Sequence, residues 1–191
     1  MATAFGIVRV LGAGQTASMK ILTRFLLLAV FMCSFSACLF TEPVFTEGFA
    51  KVDASLGGVW AMDGDEGDPR KMEFAVCAPL DDGRYILHHP TGEKGGLYFE
   101  ARPLKIRDRM LMQLRILASF STGIPKAGVE RYTLIWIEKE ADGQKLRVRS
   151  LGGDGVKDKT PAQIRKALET QSTDWSKLFG EPAVFHLLKD R

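Results

Sequence analysis

The chain has 191 residues, 26 basic and 23 acidic side chains, 46% hydrophobic residues and three cysteines. Arg9, Lys20 and Arg24 precede Cys38 with no acid among them, so the 154 residues from Cys38 onward carry 23 charges of each sign. A neutral domain of that length argues against nucleic-acid binding, which goes with a strong basic excess, and is long enough for one packed core.

Residues 1–18 read as an extension upstream of a second natural beginning at Met19-Lys20. Gly12-Ala13-Gly14, after the strand-like Val8-Arg9-Val10-Leu11, looks like a dinucleotide-binding turn. That chemistry needs a helix, a second strand and an acid about 20 positions on. Here an apolar run follows, and the first acid is Glu42. Residues 19–37 place Lys20 and Arg24 first, then an apolar core from Phe25, then Ser34, Ser36 and Ala37. This is the order of a secretory signal peptide, and it is shorter than the roughly 20 apolar residues of a membrane span. Phe35-Ser36-Ala37-Cys38 resembles the lipobox of bacterial lipoproteins, with Phe35 where that family usually has Leu. The resemblance implies that the chain is cut before Cys38 and that the Cys38 thiol carries a diacylglycerol. It also implies a lipid-anchored location in a bacterial cell envelope. Leu39 and Phe40 follow where Asp marks inner-membrane retention, so the expected site is an outer membrane, facing the periplasm, if the source has one. The residues also fit an ordinary signal peptide cut after small side chains.

Of the three cysteines, Cys33 leaves with the leader and Cys38 carries lipid in this reading. Cys77 remains without a disulfide partner. Residues 38–54 mix Thr, Glu, Pro, Gly, Lys and Asp with a few Phe and read as a tether, with Phe45 or Phe49 able to dock. The folded domain is expected over 55–191. Gly58 to Met62 is the first apolar segment. From Lys71 to Ala78, alternation puts Met72, Phe74 and Val76 on one face. Asp81-Asp82-Gly83 is a turn before Arg84 to His89. Leu97, Phe99 and Ala101 alternate with polar neighbours. Period two between Gly and Pro clusters indicates strands. Arg109 to Ser119 fits either period. Met110, Met112, Leu114 and Ile116 alternate, while Leu111, Leu114 and Ala118 share a helical face; neighbouring strands favour the strand. Glu130 to Lys139 is rich in β-formers, and Asp142-Gly143 supplies a hairpin turn into Lys145 to Arg149. Thr160-Pro161 with Gln163 starts a helix by a capping box. A shorter helix follows from Asp174 to Phe179, and Ala183 to Leu188 is the last strand.

The predicted fold is mainly β: one antiparallel meander of about eight strands, closed or nearly closed into a barrel, with a C-terminal helix before the last strand. Closure removes exposed sheet edges. Gly58-Val59-Trp60 resembles the Gly-X-Trp signature of lipocalins. That resemblance implies a Trp plugging one barrel end and a basic residue from a late strand, Arg147 or Arg149, stacked over Trp60. A core Trp after a turn glycine is the alternative that the residues leave open.

Chemistry-bearing motifs are sparse. Asp63 to Asp68 is an acidic cluster without the ligand order of a calcium loop. Gly152-Gly153-Asp154-Gly155 occurs once, whereas calcium nonapeptides work as stacks. His88 and His89 point to opposite faces of a strand. No cofactor, metal or catalytic residue is assigned, and the chain is not read as an enzyme. Two functions are expected ahead of an unrecognised enzyme. One is a lipid-anchored envelope protein that binds a small apolar ligand or lipid inside the barrel, through Trp60, Phe74, Phe99, Met110 and Met112. The other is an accessory protein docking onto an envelope protein through the basic residues Arg102, Lys105, Arg107 and Arg109 or through loops.

Overall fold

The computed structural model describes residues 39–62, 73–91, 96–119 and 130–188. Eight strands follow in order: β1 Gly58–Met62, β2 Phe74–Pro79, β3 Tyr85–Thr91, β4 Leu97–Ile106, β5 Arg109–Ser119, β6 Tyr132–Lys139, β7 Lys145–Ser150 and β8 Ala183–Leu187. Each pairs antiparallel with the next, and β1 pairs with β8, so the sheet closes as a barrel. The ambiguous segment is strand β5, held on both sides by long ladders to β4 and β6.

The barrel has two unlike ends. At one, short turns join β2 to β3, β4 to β5 and β6 to β7. At the other lie the starts of β2, β4, β6 and β8. The helix α1, Pro161–Glu169, lies in the connection from β7 to β8. It begins as its residue types dictate: Gln163 N–H donates to the Thr160 hydroxyl, and the Thr160 N–H donates to the Gln163 side chain. The expected second helix is a single 3-10 turn, Trp175–Lys177. Gly153 is there for space: a Cβ on it would meet the Lys177 carbonyl at 2.4 Å. The Gly152 and Gly153 N–H groups both donate to Leu178 C=O at 3.0 Å. The glycine-rich run is therefore a close backbone contact.

Two apolar cores share one wall. Trp60, Phe99, Met112, Leu114, Ile135 and Phe185 pack together inside the barrel. On the outer face of β4 to β6, Leu104, Leu111, Leu134 and Trp136 pack under Ile164 and Leu168 of α1 and under Trp175 and Phe179. Hence residues 132–137 of β6 are all buried. A strand covered on both faces has no polar side to alternate with.

The expected tether at 38–54 is corrected for its described part, 39–54, which belongs to the folded body. Phe40 exchanges backbone hydrogen bonds with Tyr132, and Phe49 forms a bridge with Leu104. Val44 and Phe45 are buried in the outer core. Gln113, buried on the outer face of β5, acts as a surrogate strand edge. Its amide oxygen accepts from Phe45 N–H at 2.8 Å, and its amide nitrogen donates to Phe45 C=O at 2.9 Å. Apolar side chains here cover a face that would otherwise meet water, so the domain boundary lies well before residue 55. Phe45→Ala should lower stability by about 3 kcal/mol. Gln113→Leu, which strands both Phe45 backbone groups, should cost ~1–3 kcal/mol. Urea unfolding measures both, and an unchanged midpoint in each variant would contradict the docked strap.

Candidate functional site

The strap leads directly into the barrel. After Val52 the chain makes a 3-10 turn, Ala54–Leu56, capped by the Asp53 carboxylate, which accepts from Ser55 N–H at 2.9 Å. Leu56 and Val52 join the interior core. The Tyr85 hydroxyl, buried at the start of β3, accepts from Asp53 N–H at 2.6 Å and donates to Asp53 C=O at 3.0 Å. Trp60 points inward from β1, 2% exposed, and its indole N–H donates to Leu56 C=O at 3.0 Å. Gly58 enables the entry: its φ is +138°, and a Cβ would meet Leu187 at 2.8 Å. Residues 52–57 thus form a plug at the short-turn end, with Trp60 stacked behind it in sequence and in space.

Beyond the plug the inner face stays apolar. Phe99, Leu114 and Phe185 are buried, and Met62, Leu87, Leu97 and Ile116 are half-buried against them. Among the described residues, Thr133, His89 and Ser150, which pairs with inward Ile135, bring polar groups to this face. The His89 ring meets the edge of Phe185 at 5.7 Å between centroids. Its Nδ1 lies 3.3 Å from Phe74 C=O, and its Nε2 lies 3.9 Å from Glu73. Burial lowers the His89 pKa, against the opposing pull of Glu73. Cys77 faces the same interior, where burial pushes its thiol up to about 12. A thiol so protonated is a poor nucleophile. Among the described residues no three metal-ligating side chains come together. Most of the interior is lined by apolar side chains.

Of the residues expected to line a ligand site, Trp60, Phe99, Met110 and Met112 share this interior, Met112 fully buried and Met110 half-buried. Phe74 does not. It pairs with Ala61 while its neighbour Ala75 pairs with Trp60, so alternation sends Ala75 and Cys77 inward and Phe74 outward. In β2 the small side chains share their level with Trp60, whereas the bulky ones face out. Met72, assigned to the same face, lies outside the described residues, as do Cys38 and the acidic cluster at 63–68.

The basic residues are drawn into the fold. Arg107 sits at the tip of the β4–β5 turn with φ +60°, a left-handed conformation uncommon for a branched-chain-sized side chain. Its guanidinium donates to the Leu168 C=O at 3.1 Å and to the Thr170 C=O. It thereby caps the C-terminal end of α1, where the helix dipole favours a cation. Arg109 lies over both Trp136 and Trp175 at 4.8 Å. Arg149 lies 5.2 Å over Trp136, and Arg147 reaches toward Glu140. The expected stack of either on Trp60 is therefore corrected: both residues alternate to the outer face, while Trp60 points inward. Arg102 covers Phe49 at 5.1 Å, and Lys105 is exposed. The four residues expected to form one docking patch are thus split between separate tasks.

Glu100, 6% exposed on the outer face of β4, was not singled out by any sequence signal. It accepts from Arg115 at 2.7 Å, Arg84 at 2.8 Å and Arg102 at 3.2 Å. Alternating charge along β4 and β5 is its only trace in the sequence. No protein-family model, curated protein or solved structure matches the chain.

Burial by itself raises the Glu100 pKa, but the hydrogen bonds from Arg115 and Arg84 outweigh it and hold the carboxyl below its ordinary 4.5. A depressed folded-state value gives stability that is complete above the unfolded pKa and is lost as pH falls through the folded one. Glu100→Gln should therefore cost about 1–3 kcal/mol at pH 7. The gap to the unmodified protein should narrow as pH falls below about 4.5. Urea unfolding at several pH values reads the gap directly, and a gap independent of pH would refute the assignment.

Proposed function

We propose that the protein is a lipid-anchored bacterial envelope protein whose barrel holds a small apolar ligand, such as an acyl chain. One observation carries the reading. The interior is stoppered by residues 52–57 at one end, while at the other the apolar lining continues into half-buried Met62, Leu87, Leu97 and Ile116. A barrel of eight strands is wide enough either to be filled by side chains or to hold one small ligand. Trp60, Tyr85 and Met112 pack near the plug, and the ligand is proposed to lie against the half-buried side chains of the far half. The anchor rests on the resemblance of Phe35-Ser36-Ala37-Cys38 to a lipobox. Docking onto an envelope protein through a basic patch is the weaker reading, because Arg102, Arg107 and Arg109 are already engaged by Glu100, the end of α1 and the two Trp rings.

Cys38→Ser should leave an unprocessed precursor and abolish incorporation of a clickable fatty acid. Retained labelling would sink the anchor. Independently, a fluorescent fatty acid should bind the purified protein saturably. Ile116→Trp, which bulks up the half-buried end, should weaken binding about tenfold, a loss of ~1.4 kcal/mol. Thermal unfolding of the same variant checks that the fold survives. Equal affinity in a folded Ile116→Trp protein would remove the ligand from this half of the barrel.

A further inference from the structure

The segment that follows the expected cut is built into the fold almost at once. Phe40 N–H donates to Tyr132 C=O, and Tyr132 N–H donates to Phe40 C=O, both at 2.9 Å. Val44 and Phe45 are buried, and both backbone groups of Phe45 are taken by Gln113. Ala50 N–H donates to Pro103 C=O at 2.8 Å. The strap is thus fastened at its start, middle and end, to β6, β5 and β4 in turn. Leu39 alone stands between Phe40 and Cys38. Three residues of extended chain span about 10 Å, so the Ala37–Cys38 bond lies no farther than that from the docked Phe40.

Cleavage of that bond is a hydrolysis. Water adds across the amide, leaving a carboxylate on Ala37 and an amino group on Cys38. A peptidase holds its substrate extended across the bond, gripping main-chain groups as an added strand does. Phe40 is the third residue on the Cys38 side. Its N–H and C=O are both paired with Tyr132 and cannot also pair with a peptidase. The folded body, so close to the bond, also keeps a cleft from closing round the chain.

The order of synthesis gives time for the cut. Gln113 lies 68 residues after Phe45, and Tyr132 comes later still. Contacts this distant in sequence form late, because closing the intervening loop costs entropy first. Until β5 and β6 are in place, residues 39–50 lack the wall that they cover.

We infer that docking of the strap and cleavage before Cys38 exclude each other: the bond is cut while the strap is free, and the strap docks afterwards as the step that completes the outer core. The inference rests on the lipid anchor proposed above. Docking withdraws the chain from the peptidase, so a chain that completes its fold uncut is held as a precursor.

The test uses the full chain, accumulated as folded precursor in cells whose lipoprotein peptidase is inhibited and then mixed with membranes carrying the active enzyme. In one variant a flexible run of about eight Gly and Ser residues is inserted between Leu39 and Phe40, which frees the bond and leaves the strap docked. In two others, Phe45→Ala and Gln113→Leu, the strap is loosened. Thermal unfolding checks that each barrel is folded, and mass spectrometry locates the cut and reads the acyl groups on Cys38. Cleavage of a site that opens transiently follows the population of the open form. The insertion should therefore speed cleavage of the folded precursor about tenfold or more, and the loosening substitutions several-fold. A rate unchanged by the insertion overturns the inference, whatever the two substitutions do, and leaves the anchor standing. A chain never cut before Cys38 and without acyl groups overturns the anchor reading and this inference with it.

Discussion

The wall formed by β4, β5 and β6 is apolar on both faces, and the rest of the molecule follows from covering it. Closing the sheet buries one face, with Leu114, Ile135 and Ile137 turned inward. Closure does nothing for Leu104, Leu111, Leu134 and Trp136 on the other side. The chain covers these with two segments: the strap at 39–50 and the β7–β8 connection with α1. Each element would be marginal alone, since a helix of nine residues is too short to be stable in water by itself. Docked together over the wall they bury Val44, Phe45, Ile164, Leu168 and Trp175 in one cluster.

Arginine chemistry joins these layers. Trp136 carries Arg109 on one approach and Arg149 on another, while Arg109 also meets Trp175 from the β7–β8 connection. Arg165 of α1 lies 5.5 Å over Phe45 of the strap. A planar, weakly hydrated guanidinium stacks on rings in a way that a lysine ammonium does not. Arg107 binds the end of α1 from the tip of a hairpin, and the hydrogen bonds it makes there offset its left-handed backbone. These contacts account for the arginines concentrated on the β4–β5 hairpin and β7, although the chain from Cys38 onward has balanced charges.

Strap and plug are one continuous segment, and this ties the outer wall to the interior. The same residues that follow Cys38 first line the outer wall, then stopper the barrel through Leu56 and Asp53. Whatever pulls on the N-terminal side of Phe40 pulls on a segment bonded to Gln113 and Tyr85 in turn. The plug is therefore held from outside as well as from within.

Local chemistry was enough to determine the order and type of most elements. The period-two runs, the Asp142-Gly143 turn and the Thr160-Pro161-Gln163 cap act through neighbours a few residues away, so they can be read in the sequence. The eight-stranded barrel with one helix before its last strand follows from them. Phe99 was legible as inward because its strand alternates cleanly, Met112 once the neighbouring strands favoured period two over a helix, and Trp60 from the glycine turn before it. Facing was lost where both sides of a strand carry apolar groups: in β2 nothing local tells Phe74 from Cys77, and only the pairing of Ala75 with Trp60 decides. The strap was hidden for a related reason. Its docking depends on Gln113, 68 residues away from Phe45, and a polar side chain that substitutes for a strand edge leaves no periodic trace. The three arginines around Glu100 and the cap on α1 likewise join residues distant in the chain. Spacing along a strand or a helix is a local quantity, whereas a contact between layers exists only after the sheet has closed.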